Sequence, residues 1–274
     1  PKAFVVLYGD ADGDKPRTFA GHTKTVLSLA FNRAGDRLVT GSADGTARLW
    51  DVAAGRELRV FRGHASSVES VAFSPDEQTI VTAGTDGTAI VWPLAENNAS
   101  NAVPEVHAML AHRGPVHVAA FAPDGRTVAS AGADERVLLW QAADVRPYRL
   151  AEVFAENPPA PPKVRELIGH RAPVLSVAFS PDGTRLASCG VDNAVLVWDV
   201  TGGKLLKTMR GHAGQVQAVR FLADNRSVVS VGFDGLLKLW DIDEYNESIA
   251  VQPTVVSGHA DAVLAADFAP DEKS

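Results

Sequence analysis

The chain has 274 residues, of which 46% are apolar and 22% are charged, a balance typical of a folded globular protein. Its formal net charge of −7 disfavours nucleic acid and anionic membranes as main partners. No apolar run is close to the length of a membrane span, which is about 18 residues. A single cysteine, Cys189, excludes an internal disulfide and fits a reducing compartment, so we expect a cytoplasmic protein.

A repeated unit organises the chain. Gly-His, or Ala-His in one copy, occurs six times, and a tryptophan follows each of the first five histidines after 28 residues. A Thr or Ser stands 18 residues after each of these histidines and an Asp stands 22 residues after it. The five sets are His22, Thr40, Asp44, Trp50; His64, Thr82, Asp86, Trp92; His112, Ser130, Asp134, Trp140; His170, Ser188, Asp192, Trp198; and His212, Ser230, Asp234, Trp240. Equal spacing in one register predicts five full structural repeats over residues 20–257.

Residues 1–19 are predicted to be the second half of a further repeat. Counting back from His22 by the tryptophan-to-histidine spacing of 14 residues reaches Tyr8, in the tryptophan position. The loop Asp10–Asp14, DADGD, alternates carboxylates around a glycine as calcium loops do, but its twelfth position is Gly21 and not the bidentate Glu of an EF-hand. A polar hairpin loop is therefore predicted, with calcium binding as the alternative.

Each full repeat is predicted to form four short β-strands. The segments VLSLAF, RLVTGS and TARLWDV of the first repeat are short, apolar and bounded by turn residues. Turn sequences such as SPDG at Ser180–Gly183 predict hairpins, and a fourth strand such as KLLKTM follows the tryptophan. Because a four-stranded antiparallel sheet cannot bury its own faces, the repeats are expected to pack side by side.

Two stretches lengthen the connection between the third and fourth strands. ENNASNAVPE follows Trp92, and a longer insertion containing AENPPAPPK follows Trp140. The Pro-rich insertion predicts an extended loop on the side opposite the Gly-His turns. A tolerated insertion is the favoured interpretation and partner docking is the alternative.

Residues 258–274 begin a sixth copy that extends only through its first strand and turn. Two interpretations follow. Either this strand and residues 1–19 share one closing sheet, or the chain is part of a longer array with repeats on both sides. We favour the second, because the next strand would begin beyond Ser274.

The landmarks resemble those of the WD-repeat β-propeller family. Besides Gly-His, the resemblance rests on the Trp-Asp pairs Trp50-Asp51, Trp198-Asp199 and Trp240-Asp241, whereas Pro93 and Gln141 replace the Asp in the second and third repeats. The resemblance implies an all-β propeller, or part of one, of four-stranded antiparallel blades over residues 1–274, with five full blades and partial blades at both ends. The FSPDG turns and Arg-rich composition are similar to those of bacterial members.

In this family the four landmarks form a buried chain of hydrogen bonds from Trp to Ser or Thr, His and Asp. Ser, His and Asp also make catalytic triads, but a nucleophile needs one specially activated copy, whereas this set occurs five times. Six of the eight histidines are landmarks, and His107 and His117 have no metal-ligand spacing. No catalytic residue, metal or cofactor is therefore predicted, and Cys189 is expected to be buried.

The resemblance also implies binding of a protein or peptide on the Gly-His face, and the partners could include further repeats of the same parent chain. The positions expected to face the mouth of the propeller are Leu27, Glu69, His117, Leu175, Val191, Gln217, Phe233 and Leu264. We expect a contact surface centred on Leu175, Val191 and Phe233, and a non-catalytic interaction scaffold. The alternative is the sensor or targeting region of a larger bacterial signalling protein, such as a kinase or protease.

Overall fold

The computed structural model describes residues 3–8, 15–95, 105–141, 148–149, 163–243 and 254–256. These residues form β-strands and turns, and no helix occurs among them. Nothing in the described ranges has the length and apolarity of a membrane-spanning helix. The contacts divide the chain into unit 1, Pro1–Phe121 with Gln141–Lys163, and unit 2, Ala122–Trp140 with Val164–Ser274.

The strands of unit 1 are β1 (Phe4–Leu7), β2 (Arg17–Ala20), β3 (Val26–Phe31), β4 (Arg37–Ser42), β5 (Thr46–Asp51), β6 (Arg56–Arg62), β7 (Val68–Phe73), β8 (Thr79–Gly84), β9 (Ala89–Pro93), β10 (Glu105–Met109), β11 (Val116–Phe121) and β14 (Tyr148–Arg149). The strands of unit 2 are β12 (Thr127–Gly132), β13 (Val137–Gln141), β15 (Arg165–Leu167), β16 (Val174–Phe179), β17 (Arg185–Gly190), β18 (Ala194–Asp199), β19 (Leu205–Arg210), β20 (Val216–Phe221), β21 (Ser227–Gly232), β22 (Leu237–Asp241) and β23 (Thr254–Val256).

Four-stranded antiparallel sheets with sequential strand order confirm the predicted blade. They are β3-β4-β5-β6 in unit 1, and β16-β17-β18-β19 and β20-β21-β22-β23 in unit 2. In each of these sheets the tryptophan lies on the third strand, as Trp50 does on β5 opposite Leu38 of β4. Unit 2 also contains β12, β13 and β15 as neighbours in one sheet. The β1-β2 pair of unit 1 forms a separate two-stranded sheet.

One sheet of unit 1 has a strand that the repeat pattern does not predict. Its order is β14-β10-β9-β8-β7, so the insertion after Trp140 adds β14 outside the fourth strand of the second repeat. Glu105 and Val106 pair antiparallel with Arg149 and Tyr148. The extended loop was predicted for AENPPAPPK and not for Tyr148 and Arg149, so this pairing is an addition to the prediction. The AENPP and APP segments themselves lie outside the described residues.

The hairpin turn between the first and second strands requires a left-handed backbone. Gly35, Gly125 and Gly183 have φ near +70°, which glycine adopts without a steric penalty. Glu77 and Asn225 occupy the same turn position with φ of 57° and 58°. Both residues accept hydrogen bonds from the preceding repeat. The Glu77 carboxylate accepts the Arg33 backbone N–H at 2.7 Å, and the Asn225 side-chain oxygen accepts the Asp182 backbone N–H at 2.8 Å. The Asn225 carbonyl also accepts a guanidinium N–H of Arg185 at 3.3 Å.

Successive sheets within each unit bury their faces against one another. The first strand of one repeat packs on the first and second strands of the repeat before it, as β7 does on β3 and β4, and β20 does on β16 and β17. In unit 2 the buried cluster between these sheets includes Ala178, Cys189, Val197, Val219 and Phe221. The core is therefore a series of sheet-on-sheet interfaces, which places the turns of each repeat at its two ends.

Candidate functional site: the tetrads and the Gly-His face

The histidine, hydroxyl, aspartate and tryptophan landmarks meet inside their repeats. In the first, second, fourth and fifth repeats the histidine Nδ1 lies 2.9 Å from an aspartate oxygen. Its Nε2 lies 2.6–2.8 Å from the Thr or Ser hydroxyl. In all five repeats the tryptophan Nε1–H donates to that hydroxyl over 2.7–2.9 Å. The hydroxyls and indoles are almost fully buried.

One arrangement of protons satisfies every group in such a tetrad. The indole N–H donates to the hydroxyl oxygen, the hydroxyl donates to Nε2, and the Nδ1–H of a neutral imidazole donates to the aspartate. Burial lowers the pKa of His22 and His212 despite the neighbouring carboxylates, which favours this neutral form. A neutral imidazole held by both nitrogens has no lone pair left to act as a general base.

The aspartate also anchors the Gly-His loop to the turn after the second strand. Asp192 accepts the Arg171 backbone N–H at 3.1 Å and the Ala194 backbone N–H at 3.3 Å. Burial by itself raises the pKa of Asp192, but the bonds from His170 and Arg171 outweigh burial and lower that pKa overall. The tetrad therefore fixes both loops at this end of each sheet, which positions the residues beside them.

The third set is divided between the two units. His112 belongs to unit 1, whereas Ser130, Asp134 and Trp140 belong to unit 2. Within unit 2, Trp140 donates to Ser130 at 2.9 Å, and Asp134 lies 3.5 Å from the guanidinium of Arg136.

The described residues contain no candidate metal centre. Groups of three or more His, Cys, Asp or Glu that could hold a metal ion are absent from the described ranges. Cys189 is fully buried, as predicted, and burial raises the pKa of its thiol. The candidate calcium loop Asp10–Asp14 lies outside the described residues.

The residues predicted to contact a partner differ in exposure. Phe233 and Leu27 are exposed, by 49% and 42%. The half-buried members are Glu69, His117, Leu175, Val191 and Gln217. Leu264 lies outside the described residues. Of the expected centre in unit 2, Phe233 therefore projects furthest, and Leu175 and Val191 present only part of their surface.

Backbone hydrogen bonds hold this centre in place. The Val191 amide donates to the Pro173 carbonyl and the Phe233 amide donates to the Gln215 carbonyl, each at 2.9 Å. A side-chain bond adds to these, because Gln217 Nε2 donates to Gln215 Oε1 at 3.3 Å. Neither Pro173 nor Gln215 is among the predicted residues, although each stands three residues after its landmark histidine. That spacing is the signal that could have identified them.

Four-stranded antiparallel sheets that carry a Trp–Ser/Thr–His–Asp tetrad define a WD-repeat β-propeller. The WD domain, G-beta repeat model matches residues 13–51 and 55–93. The chain belongs to the CAF1B/HIR1 beta-propeller domain family, whose model matches residues 79–267, more than half of the chain.

Individual relatives match short segments. The chain is 48% identical over 52 residues to the Lissencephaly-1 homolog of Caenorhabditis briggsae, covering 19% of the chain and 13% of that protein. It is 48% identical over 44 residues to ribosome assembly protein 4 of Chaetomium thermophilum, covering 16% and 8%. It is 51% identical over 41 residues to small ribosomal subunit protein RACK1y of Oryza sativa subsp. japonica, covering 15% and 12%. These relatives are eukaryotic, so they lend no support to a bacterial origin, which stays a prediction.

Proposed function

We propose that this chain is a non-catalytic interaction scaffold that binds a protein or peptide on its Gly-His face. The observation that carries the proposal is the 49% exposure of Phe233, an aromatic side chain on a turn fixed by the neighbouring tetrad and by the Gln215 carbonyl. A rigid exposed aromatic residue loses little conformational entropy on binding and is a frequent energetic centre of protein interfaces.

Chemistry around Phe233 favours a protein partner. Leu175 and Val191 provide partly exposed apolar surface in the same unit, and the Gln215 and Gln217 side chains provide amide donors and acceptors for peptide groups. The net charge of −7 opposes attraction to nucleic acid and to anionic lipid. WD-repeat propeller families are generally protein-interaction scaffolds, which supports the same function.

The absence of catalysis is inferred from the tetrads. A Ser–His–Asp set acts as a nucleophile only when the serine is exposed and the histidine is free to take its proton. Here Ser188 and Ser230 are fully buried and already accept a tryptophan N–H. The tetrads therefore stabilise the loops that present Phe233 and its neighbours.

The test compares Phe233→Asp with the wild-type chain and with Leu206→Asp. Leu206 is 41% exposed on the outer strand β19 of the same unit, so it controls for a new surface charge. Immobilised chains capture proteins from a cell extract, and each captured protein is then tested in purified form. We expect Phe233→Asp to weaken a specific partner about tenfold or more and Leu206→Asp to leave it unchanged. Equal capture of every protein by all three chains would contradict the proposal.

Two finer proposals concern the source of the chain. It could serve as the sensor or targeting region of a larger bacterial signalling protein, and the sequences flanking it in its gene would decide between that role and an independent scaffold. A cytoplasmic location is proposed from the single buried cysteine.

A further inference from the structure

A buried cation lies on the third strand in two of the five repeats. The residue 26 positions after the landmark histidine is Arg48 in the first repeat and Lys238 in the fifth, whereas it is Ile90, Leu138 or Leu196 in the others. Arg48 is 9% exposed and Lys238 is 6% exposed. Lysine and arginine are rarely buried to this extent unless their charge has a partner, so the surroundings of both side chains need a physical explanation.

The side chain at this position lies against the glycine that precedes the landmark histidine. A Cβ atom built on Gly21 would lie 2.5 Å from Arg48 Nη1. In the fifth repeat Lys238 Nζ donates to the Gly211 carbonyl at 2.7 Å. A charge at this position is therefore held one residue away from the histidine of its tetrad.

The two cations differ in how their charge is balanced. Arg48 bonds the carboxylate of Glu57 on the adjacent strand β6. Lys238 forms no ion pair with any residue of the described ranges, and its acceptor there is the uncharged Gly211 carbonyl. The charge of Lys238 can therefore act on His212, which follows Gly211 directly.

The tetrad of the fifth repeat has an arrangement of donors that suits a neutral His212. Its Nδ1 lies 2.9 Å from both oxygens of Asp234, and its Nε2 lies 2.8 Å from the Ser230 hydroxyl. That hydroxyl accepts the Trp240 Nε1–H at 2.7 Å. In the neutral tetrad the Ser230 hydroxyl therefore donates its own hydrogen to Nε2.

Two charged groups of the described residues act on His212. They are Asp234 on the turn after β21 and Lys238 on β22. Burial is the main cause of the lowered pKa of His212, Lys238 lowers that pKa further, and Asp234 opposes both. Arg210, two residues earlier in the chain, is exposed to solvent.

A second proton on the His212 ring disrupts the tetrad. The new Nε2–H and the Trp240 N–H would both point at the Ser230 oxygen, so the hydroxyl hydrogen of this fully buried serine would lose its acceptor. The added positive charge would also lie close to Lys238. Proton uptake therefore favours a state in which His212 has left the tetrad.

The same tetrad holds the turn that carries Phe233. Asp234, the next residue, accepts the Ala213 backbone N–H at 3.0 Å, and the Phe233 amide donates to the Gln215 carbonyl at 2.9 Å. These bonds tie the turn after β21 to the loop that contains His212. Release of His212 therefore loosens both segments together.

We propose that His212 and Lys238 form a proton-sensitive latch that holds the Phe233 turn in place at neutral pH and releases it when His212 takes up a proton. The closed latch excludes a proton that a histidine in the open form binds below about pH 6.5, so the open population should rise by up to about tenfold for each pH unit below that value. Acid release of a partner bound through Phe233 would follow, and this consequence rests on the proposed function. The latch itself does not.

Hydrogen exchange of the Phe233 amide, followed by NMR, tests the latch without any partner. We expect the protection factor of this amide, corrected for the intrinsic exchange rate, to fall about three- to tenfold between about pH 7.5 and about pH 5.5. The Val191 amide is the internal control, because it makes the equivalent bond to the Pro173 carbonyl in the repeat that has Leu196 in place of Lys238. Its protection should fall less.

Lys238→Leu installs the residue that the fourth repeat has at this position. The ring signals of His212 should titrate at a higher pH in this variant, and the Phe233 amide should keep its protection to a lower pH. Lys204→Leu is the matched control, since it removes the same charge from an exposed position just before β19 and should behave like the wild-type chain. Lys238→Met is a second variant in case Lys238→Leu fails to fold.

Constant protection at Phe233 over this pH range would overturn the proposal. An equal fall at Val191, or an equal fall in the wild-type chain and Lys238→Leu, would also overturn it. So would simultaneous loss of protection throughout the chain, since that shows global unfolding instead of local release. A chain that shows the latch but captures no partner through Phe233 would refute the proposed function and leave the latch in place.

Discussion

Replacing His170 with alanine tests whether the tetrad contributes to stability through its hydrogen bonds. His170 is 6% exposed, and its ring connects the Ser188 hydroxyl at 2.7 Å to the Asp192 carboxylate at 2.9 Å. Alanine removes both bonds and leaves the fully buried hydroxyl of Ser188 without its acceptor. Asp192 keeps its two backbone N–H partners, so it does not become an isolated buried charge.

The expected loss follows from these contacts. An orphaned buried hydroxyl costs about 1 kcal/mol at the low end of its range, and a lost hydrogen bond to a carboxylate costs about 1.5–3 kcal/mol. Water that enters the space of the imidazole recovers part of this loss at the half-buried carboxylate. We therefore expect His170→Ala to lower the free energy of unfolding by about 2–3 kcal/mol, and the melting temperature by about 4–10 °C for a chain of this size.

Urea unfolding followed by tryptophan fluorescence measures the change, and a double-mutant cycle separates hydrogen bonding from packing. The cycle combines His170→Ala with Ser188→Ala and should give a coupling of about 1 kcal/mol or more, because the two side chains share one bond. His117→Ala is the matched control, since His117 lies outside the tetrads, and we expect it to change stability by less than about 1 kcal/mol. Additive effects of the two tetrad substitutions, or an unchanged unfolding curve for His170→Ala, would refute the reasoning.

Two further predictions concern pH and a hairpin turn. The pKa of His22 and of His212 in the folded chain lies below the ordinary 6.5, so the unfolded chain binds more protons on acidification. Stability that is fully present above pH 6.5 should therefore be lost as the pH falls below that value. A melting temperature that stays constant from about pH 8 to about pH 5 would contradict this expectation. Glu77 has a φ of 57°, and the variants Glu77→Gly and Glu77→Ala lose the same hydrogen bonds to the carboxylate. Only alanine keeps the strain of a left-handed backbone, so urea unfolding should show that the alanine variant is less stable than the glycine variant by about 1 kcal/mol. Equal stability of the two variants would argue against backbone strain at this position.

The tetrads could be predicted from sequence because their geometry depends on strand register, which the spacing sets. A fixed number of residues from His170 to Ser188 and from Ser188 to Trp198 places these side chains at fixed points on neighbouring strands. Four polar groups with complementary donors and acceptors then have one arrangement in which none is buried without a partner. The residue spacing and the hydrogen-bond chemistry therefore predict the same tetrad that the resemblance to WD repeats implies.

Other contacts depend on partners that the repeat pattern does not encode. The β14 strand, Tyr148–Arg149, is two residues long and lies in a Pro-rich insertion with no alternating pattern, so nothing local predicts its pairing with β10. The turn containing Glu77 can be predicted to be left-handed, because Gly183 holds the same position in SPDG. The bond from Glu77 to the preceding repeat cannot be predicted in this way, because it requires the neighbouring turn as well.

The exposure of individual side chains was the least predictable feature, and β3 shows why. Its sequence VLSLAF differs from the VLSVAF of β16 at one position, yet Leu29 is 50% exposed and Val177 is 3% exposed. The alternation of side chains along a strand is a local property, whereas burial is conferred by the sheet that packs on it. The exposure of an apolar strand face therefore cannot be predicted from the strand's own sequence, because it depends on which sheet packs against that face.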